Sequence, residues 1–203
     1  AVAPALGQVI LLKMSWRAIF SVLMILGLIA VTWFTIRQPE TLPQKSRIPL
    51  SVSNIFNGLS EVFTTRLSIG YTLAAGFISG LFFAYLNCAQ QIFHEIYHLG
   101  RQFPLYMAFL ALSIGGGSFI NSRIVIRFGM HRMSYLAILL FIVLMSIYLV
   151  ITLLMGGHSP LWLLISFLAL SFFCLGILFG NLNAIAMEPL GHIAGMGAAV
   201  IGS

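Results

Sequence analysis

The sequence predicts an all-α fold, a polytopic bundle of transmembrane helices, and three observations carry that reading. Charged residues make up 7% of the 203-residue chain and hydrophobic ones 60%, whereas a soluble domain is about a quarter charged. Uncharged stretches run over Ala18–Ile36, Leu67–Ile92, Phe103–Ser122, Met133–Leu154 and from Leu161 to about Met187. Each approaches the roughly 20 residues that, at about 1.5 Å of rise apiece, cross a hydrocarbon core about 30 Å thick. The ten Lys and Arg and the four Glu fall almost entirely between these runs. Basic residues dispersed in this way mark membrane topology and exclude a nucleic-acid interface, which needs a continuous basic stripe.

The elements follow in order. Ala1–Leu12 is apolar but too short to span, and Gly191–Ser203 is a second apolar segment without a polar flank. Both read as parts of helices, so the chain reads as a piece of a longer protein, and its start lacks the pattern of a signal peptide. Between the first two spans, Pro39, Pro43 and Pro49 interrupt any helix. Beyond them Val52, Ile55, Phe56, Leu59, Val62 and Phe63 recur at helical spacing behind a capping Ser51, with Ser53, Asn54, Asn57, Ser60 and Glu61 opposite. Two readings are open for this amphipathic helix: it lies at the membrane interface, or it packs on protein as an ordinary loop helix. Cys88 and Cys174 lie inside apolar runs and are expected to pack as small hydrophobes rather than to pair.

Charge asymmetry predicts the orientation. Arg37, Lys45, Arg47, Arg66, Arg123, Arg127 and Arg132 fall on one side, against Lys13, Arg17 and Arg101 on the other. Lys and Arg accumulate on the cytoplasmic side. Loops 37–66, 123–132 and 187–192 are therefore expected in the cytoplasm.

Small residues recur every fourth position in three rows: Gly76, Gly80, Ala84 and Cys88; Gly176, Gly180 and Ala184; and Gly191, Gly195 and Ala199. Such rows let helix backbones approach closely in lipid. Polar side chains at depth are costlier and mark either a cavity or an interhelical hydrogen bond. Asn87, Gln91, His94 and His98 fall on one helical face beyond Tyr85, and for Asn87 and Gln91 both readings are open. Asn181 and Asn183 lie near the inner end of the last span, where Asn183 is expected to act as a structural cap.

His94-Glu95-Ile96-Tyr97-His98 matches the His-Glu-x-x-His pattern, in which two His one helical turn apart hold Zn²⁺ and the Glu acts as general base. A catalytic zinc needs a third protein ligand. The chain has no Asp, and Glu40, Glu61 and Glu188 fall on the opposite, cytoplasmic side; His158 alone shares the side of the pattern. An intramembrane zinc protease is thus a minor alternative, and no metal site is expected.

Four local patterns, in order along the chain, resemble the major facilitator superfamily, in particular its bicyclomycin/chloramphenicol-resistance type of drug:proton antiporter. Ala3-Pro4-Ala5-Leu6-Gly7-Gln8 followed by Ser15-Trp16-Arg17-Ala18-Ile19-Phe20 is similar to the antiporter motif of that family's fifth helix and the opening of its sixth. Pro39-Glu40-Thr41-Leu42-Pro43 looks like the start of its central loop. Arg127-Phe128-Gly129-Met130-His131-Arg132 resembles its loop between helices eight and nine, and Asn183–Pro189 with Gly191, Ala194 and Gly195 its connection from ten to eleven. Ala3 and Gln8 replace two glycines of the antiporter motif, and Ile126 stands where the fuller eight-to-nine motif has an acid.

The resemblance implies a division into 1–36 (the end of helix five and helix six of the amino-terminal half), 37–66 (the central loop) and 67–203 (helices seven to ten and the start of eleven). It further implies alternating-access transport in a bacterial inner membrane, with a small drug-like substrate exchanged for protons, no cofactor beyond the proton gradient, and a monomeric intact transporter. A metabolite importer of the same fold is the principal alternative. Tyr85, Asn87 and Gln91 are the expected cavity residues. Pro4, Gly7, Arg127, Gly129 and Arg132 are the expected conformational residues, and Glu95 and Glu188 the weak candidates for carrying protons, whose usual carboxylates lie in the absent half.

Overall fold

The computed structural model describes residues 7, 10, 14–39 and 51–202, without the side chains of 52, 54 and 101. Pro4, Glu40, Lys45 and Arg47 lie outside the described residues, and Gly7 is helical and half-buried. The described elements are α1 (Arg17–Arg37), α2 (Val52–Thr64), α3 (Arg66–Gln91), α4 (Phe103–Phe128), α5 (Met130–Leu154), α6 (Leu161–Met187) and α7 (Ala194–Ile201). Among the described residues five helical stretches are long and apolar enough to cross a membrane, beginning at Arg17, Arg66, Phe103, Met130 and Leu161. The chain folds as an all-α transmembrane bundle.

The spans match the uncharged runs closely, with one systematic difference at their basic ends. The sequence places Arg123, Arg127 and Arg132 in a loop at 123–132, but α4 continues to Phe128 and α5 begins at Met130. Gly129 alone joins the two helices, at φ 80° and ψ 151°. The helices extend because an arginine need not leave a helix to reach water: its long stem carries the guanidinium out of the apolar layer. Arg127 in the last turn of α4 also meets the negative end of the helix dipole. The expected loop at 187–192 is a 3-10 turn, Glu188–Ile193, whose Leu190 departs from helical geometry and is fully buried.

Helix α6 is the hub, contacted by α3, α4 and α5. It supplies Leu164, Phe172, Cys174, Leu175, Ile177, Leu178, Leu182, Ile185 and Ala186 to the buried core. Cys174 is buried and Cys88 exposed, and both are free thiols. The closest approach is between α4 and α6. A Cβ on Gly117 would run into the carbonyl of Phe173, and one on Gly176 into the carbonyl of Ile114. Ser118 Oγ donates to Gly176 O at 2.8 Å across the same contact. Two buried amides close it further along: Asn121 Nδ2 donates to Asn181 Oδ1 at 2.8 Å, and Asn181 Nδ2 to Asn121 Oδ1 at 3.0 Å.

Of the glycines in the three small-residue rows, Gly176 alone holds a neighbouring helix backbone against it. Gly76, Gly80, Gly180, Gly191 and Gly195 have open space where a Cβ would stand. Four-residue spacing gives a helix a smooth face, but whether another helix occupies that face depends on the remaining side chains. α1 contributes no buried residue.

Candidate functional site

The open face of α3 forms one wall of a cleft of about 640 Å³. Ala75, Gly76, Ser79, Gly80 and Phe83 come from α3, Asn183 and Met187 from α6, and Ala198 and Ile201 from α7. The glycines make the wall concave, since a Cβ at Gly76 or Gly80 would project into empty space. The lining is apolar apart from Ser79 and Asn183. Asn183 Nδ2 donates to Phe179 O at 2.8 Å, one turn back on α6. That bond occupies the amide nitrogen within the helix, so Asn183 is a cleft residue inside α6 and not the cap expected from its position.

Asn87 stands one turn beyond Phe83 on α3, and its Nδ2 donates to Phe83 O at 2.9 Å. Gln91 follows a further turn on, with Nε2 donating to Glu95 Oε2 at 3.3 Å. Both are exposed and prolong the Gly76–Gly80–Phe83 face beyond the cleft. Tyr85 is turned the other way. Its ring packs edge-on against Phe172 with centroids 4.9 Å apart, and its hydroxyl lies 3.5 Å from Met107 Sδ. Two residues along a helix is about 200° of rotation, which turns the Tyr85 ring away from Asn87 and toward the core.

The His94–His98 segment does not form a zinc-binding helix. Ile92–Ile96 is a π turn, and His98 has φ 52°, so the two His lose the one-turn α-helical register that the zinc pattern requires. Among the described residues no three His, Cys, Asp or Glu gather as a metal site. The same register change ends the shared face of Asn87, Gln91, His94 and His98 at Gln91. Neighbouring Tyr97 and Tyr148 instead anchor the α5–α6 loop, donating to Ser159 O at 2.7 Å and meeting Ser159 Oγ at 2.8 Å, respectively.

At the basic end, Tyr71 Oη lies 3.1 Å from His131 Nδ1 and Glu188 Oε2 lies 3.4 Å from His131 Nε2. An imidazole with its proton on Nε2 satisfies both contacts and links α3, α5 and the 3-10 turn. Glu61 Oε1 lies 2.6 Å from His192 Nε2, which links α2 to that same turn. Glu188, a weak proton candidate, is thus engaged in tying helices together, and Glu95 holds Gln91. The guanidinium carbons of Arg123, Arg127 and Arg132 lie 5.0, 5.9 and 6.0 Å from the rings of Phe119, Phe128 and Phe128. Sequence reading missed Asn121, Gly117, His131 and His192. Each acts through a partner at least 56 positions away, and local spacing holds no trace of such a pair.

The family model of the Major Facilitator Superfamily matches residues 1–203. The chain is 34% identical over 206 residues to the Uncharacterized MFS-type transporter YdgK of Bacillus subtilis (strain 168), covering 99% of this chain and 50% of that protein. It is 28% identical over 207 residues to the Bicyclomycin resistance protein homolog of Haemophilus influenzae, covering 100% of this chain and 50% of that one. The chain therefore spans about half the length of the curated relatives it matches. No solved structure matches it. A membrane bundle of this kind, matched from end to end by a family of transporters rather than enzymes, identifies the chain as a member of the Major Facilitator Superfamily.

Proposed function

We propose that this chain forms part of a proton-coupled antiporter that exports small drug-like molecules from a bacterial cell by alternating access. The carrying observation is the cleft: a concave, mainly apolar wall of Gly76, Gly80 and Phe83 on α3 facing Asn183 on α6. An apolar lining with a few placed polar groups suits small amphiphilic ligands. Asn87 and Gln91 continue that face and offer hydrogen bonds along the path beyond it. The printed name of the Haemophilus influenzae relative supports a drug as cargo.

In this reading α1 ends the amino-terminal half, residues 37–66 form the central loop, and 67–203 form the bulk of the carboxy-terminal half. The absence of buried residues on α1 accords with its packing surface belonging to other helices. The interlocked α4–α6 pair moves as one body, while Gly129 fixes the turn between α4 and α5 and Arg127 and Arg132 anchor it at the water boundary. The two halves rock about a midplane site, the general scheme of such transporters. Arg37, Arg66, Arg123, Arg127 and Arg132 favour the cytoplasmic side of an inner membrane for segments 37–66, 123–132 and 187–192. The intact protein acts as a monomer, with the proton gradient as its energy source and no bound cofactor.

The test is uptake of a fluorescent lipophilic cation into inverted membrane vesicles containing the full-length protein. Uptake that appears with an imposed acid-inside gradient and collapses with a protonophore supports the proposal. Gradient-independent equilibration would favour the importer or facilitator reading instead.

A further inference from the structure

The basic end of the α4–α5 hairpin holds three positive charges with no counter-charge beside them. Arg123 and Arg127 stand in the last two turns of α4 and Arg132 in the first turn of α5, all exposed. The chain has no acidic residue between Glu95 and Glu188. At this end Glu188 already faces His131 at 3.4 Å, and Glu61 faces His192 at 2.6 Å. Among the described residues no carboxylate pairs with any of the three arginines.

Their contacts are aromatic instead. Gly129 turns the chain in a single residue, so Arg127 and Arg132 converge on the ring of Phe128, at 5.9 and 6.0 Å. Arg123 lies 5.0 Å from the ring of Phe119. A guanidinium beside a ring keeps its edge N–H donors, the fork that fits a phosphate bidentately. Toward the middle of the bilayer both helices turn apolar side chains outward. At about 100° per residue, Phe119 shares a strip with Arg123, and Leu136 and Leu139 share one with Arg132. All three apolar side chains are exposed, while the inner faces of α4 and α5 pack on α6. The strips therefore look out into lipid. Charge at the membrane boundary with apolar surface below it complements a phospholipid whose headgroup is negative. An ethanolamine headgroup brings its own ammonium, which three guanidinium groups repel.

We propose that the basic end of the α4–α5 hairpin is a binding site for an anionic phospholipid. Arg127 and Arg132 clamp the phosphodiester beside Phe128, Arg123 adds a third donor, and the acyl chains lie along Phe119, Leu136 and Leu139. The lipid phosphate supplies the negative charge that no described carboxylate supplies. It ties the one-residue turn at Gly129, and through it α4 and α5, to the leaflet at that end. The site does not depend on transport or on which side of the membrane the leaflet faces.

In the experiment the full-length protein is delipidated in detergent and titrated with phosphatidylglycerol or phosphatidylethanolamine, and bound lipid is counted by native mass spectrometry. The expected result is a several-fold preference of the wild type for phosphatidylglycerol. Arg127→Gln and Arg132→Gln should each weaken phosphatidylglycerol binding about fivefold, and together they should abolish the preference. Arg17→Gln, at the start of α1, should retain it, although that guanidinium also lies near a ring, 4.7 Å from Trp16. Equal affinity of the wild type for the two lipids would overturn the proposal, as would an unchanged preference in the double variant. Displacement of phosphatidylglycerol by soluble glycerol phosphate would contradict it by showing a site for a free anion. Binding of neither lipid by the wild type would put the arginines under another part of the protein and end the proposal. Should the double variant not fold, Arg123→Gln and the two single variants supply the comparison.

Discussion

Asn121 on α4 and Asn181 on α6 hold each other through two amide hydrogen bonds, at 2.8 and 3.0 Å, inside the bundle. With side-chain carbonyl and amide groups both paired, neither residue leaves its principal polar atoms unsatisfied in an apolar interior. Removing one partner strands the other. Asn121→Leu and Asn181→Leu should each destabilise the protein by about 1–2 kcal/mol. The double variant should cost less than the sum, with a coupling of about 0.5–1.5 kcal/mol. Unfolding titrations in mixed micelles, run as a double-mutant cycle, check this. Strict additivity would show that the pair contributes nothing as a pair.

Gly117 and Gly176 face backbone rather than movable side chains, so neither contact has room to yield. Gly117→Ala and Gly176→Ala should each cost about 1–3 kcal/mol by forcing α4 and α6 apart. Gly76→Ala, with open space at its Cβ, should leave stability unchanged or raise it by up to about 1 kcal/mol through helix propensity. Thermal unfolding of the three purified variants in one detergent checks the contrast.

The one-residue connection between α4 and α5 depends on Gly129, whose φ 80° and ψ 151° lie in a region that side chains with a Cβ avoid. Gly129→Ala should destabilise by about 1–3 kcal/mol. Gly116→Ala, inside α4 and with nothing within 4 Å of its Cβ, should not. A lower melting temperature for the first variant alone is the expected reading.

These contrasts also show what the sequence made legible. The spans could be read because burial in lipid demands long apolar runs, and α6 ends at Met187 as its apolar run predicts. Asn181 stands out as a polar residue at depth, yet its partner Asn121 does not, because pairing is set by how α4 crosses α6. The row Gly76–Gly80 and the row Gly176–Gly180 have the same pattern and opposite fates: one opens onto a cleft, while Gly176 of the other receives a backbone. The change from α to π geometry at Ile92–Ile96 has no composition of its own, so the His94–His98 pattern is intact as a string of residues and broken as a helix. Helical phase alone puts Asn87 and Gln91 on the face of Gly76 and Gly80, and turns Tyr85 about 200° away from Asn87.

In the proposed function the cleft between α3, α6 and α7 carries the transported molecule. Gly80 lines it and Gly70, on the same helix, does not, and at either position a Cβ would have no atom within 4 Å. The decisive measurement is gradient-driven uptake of a fluorescent lipophilic cation by inverted vesicles containing equal amounts of the Gly80→Phe or Gly70→Phe full-length protein. The expected result is at least a tenfold loss of initial rate for Gly80→Phe, roughly 1.4 kcal/mol or more, and near-normal uptake for Gly70→Phe. Normal uptake by Gly80→Phe would contradict it.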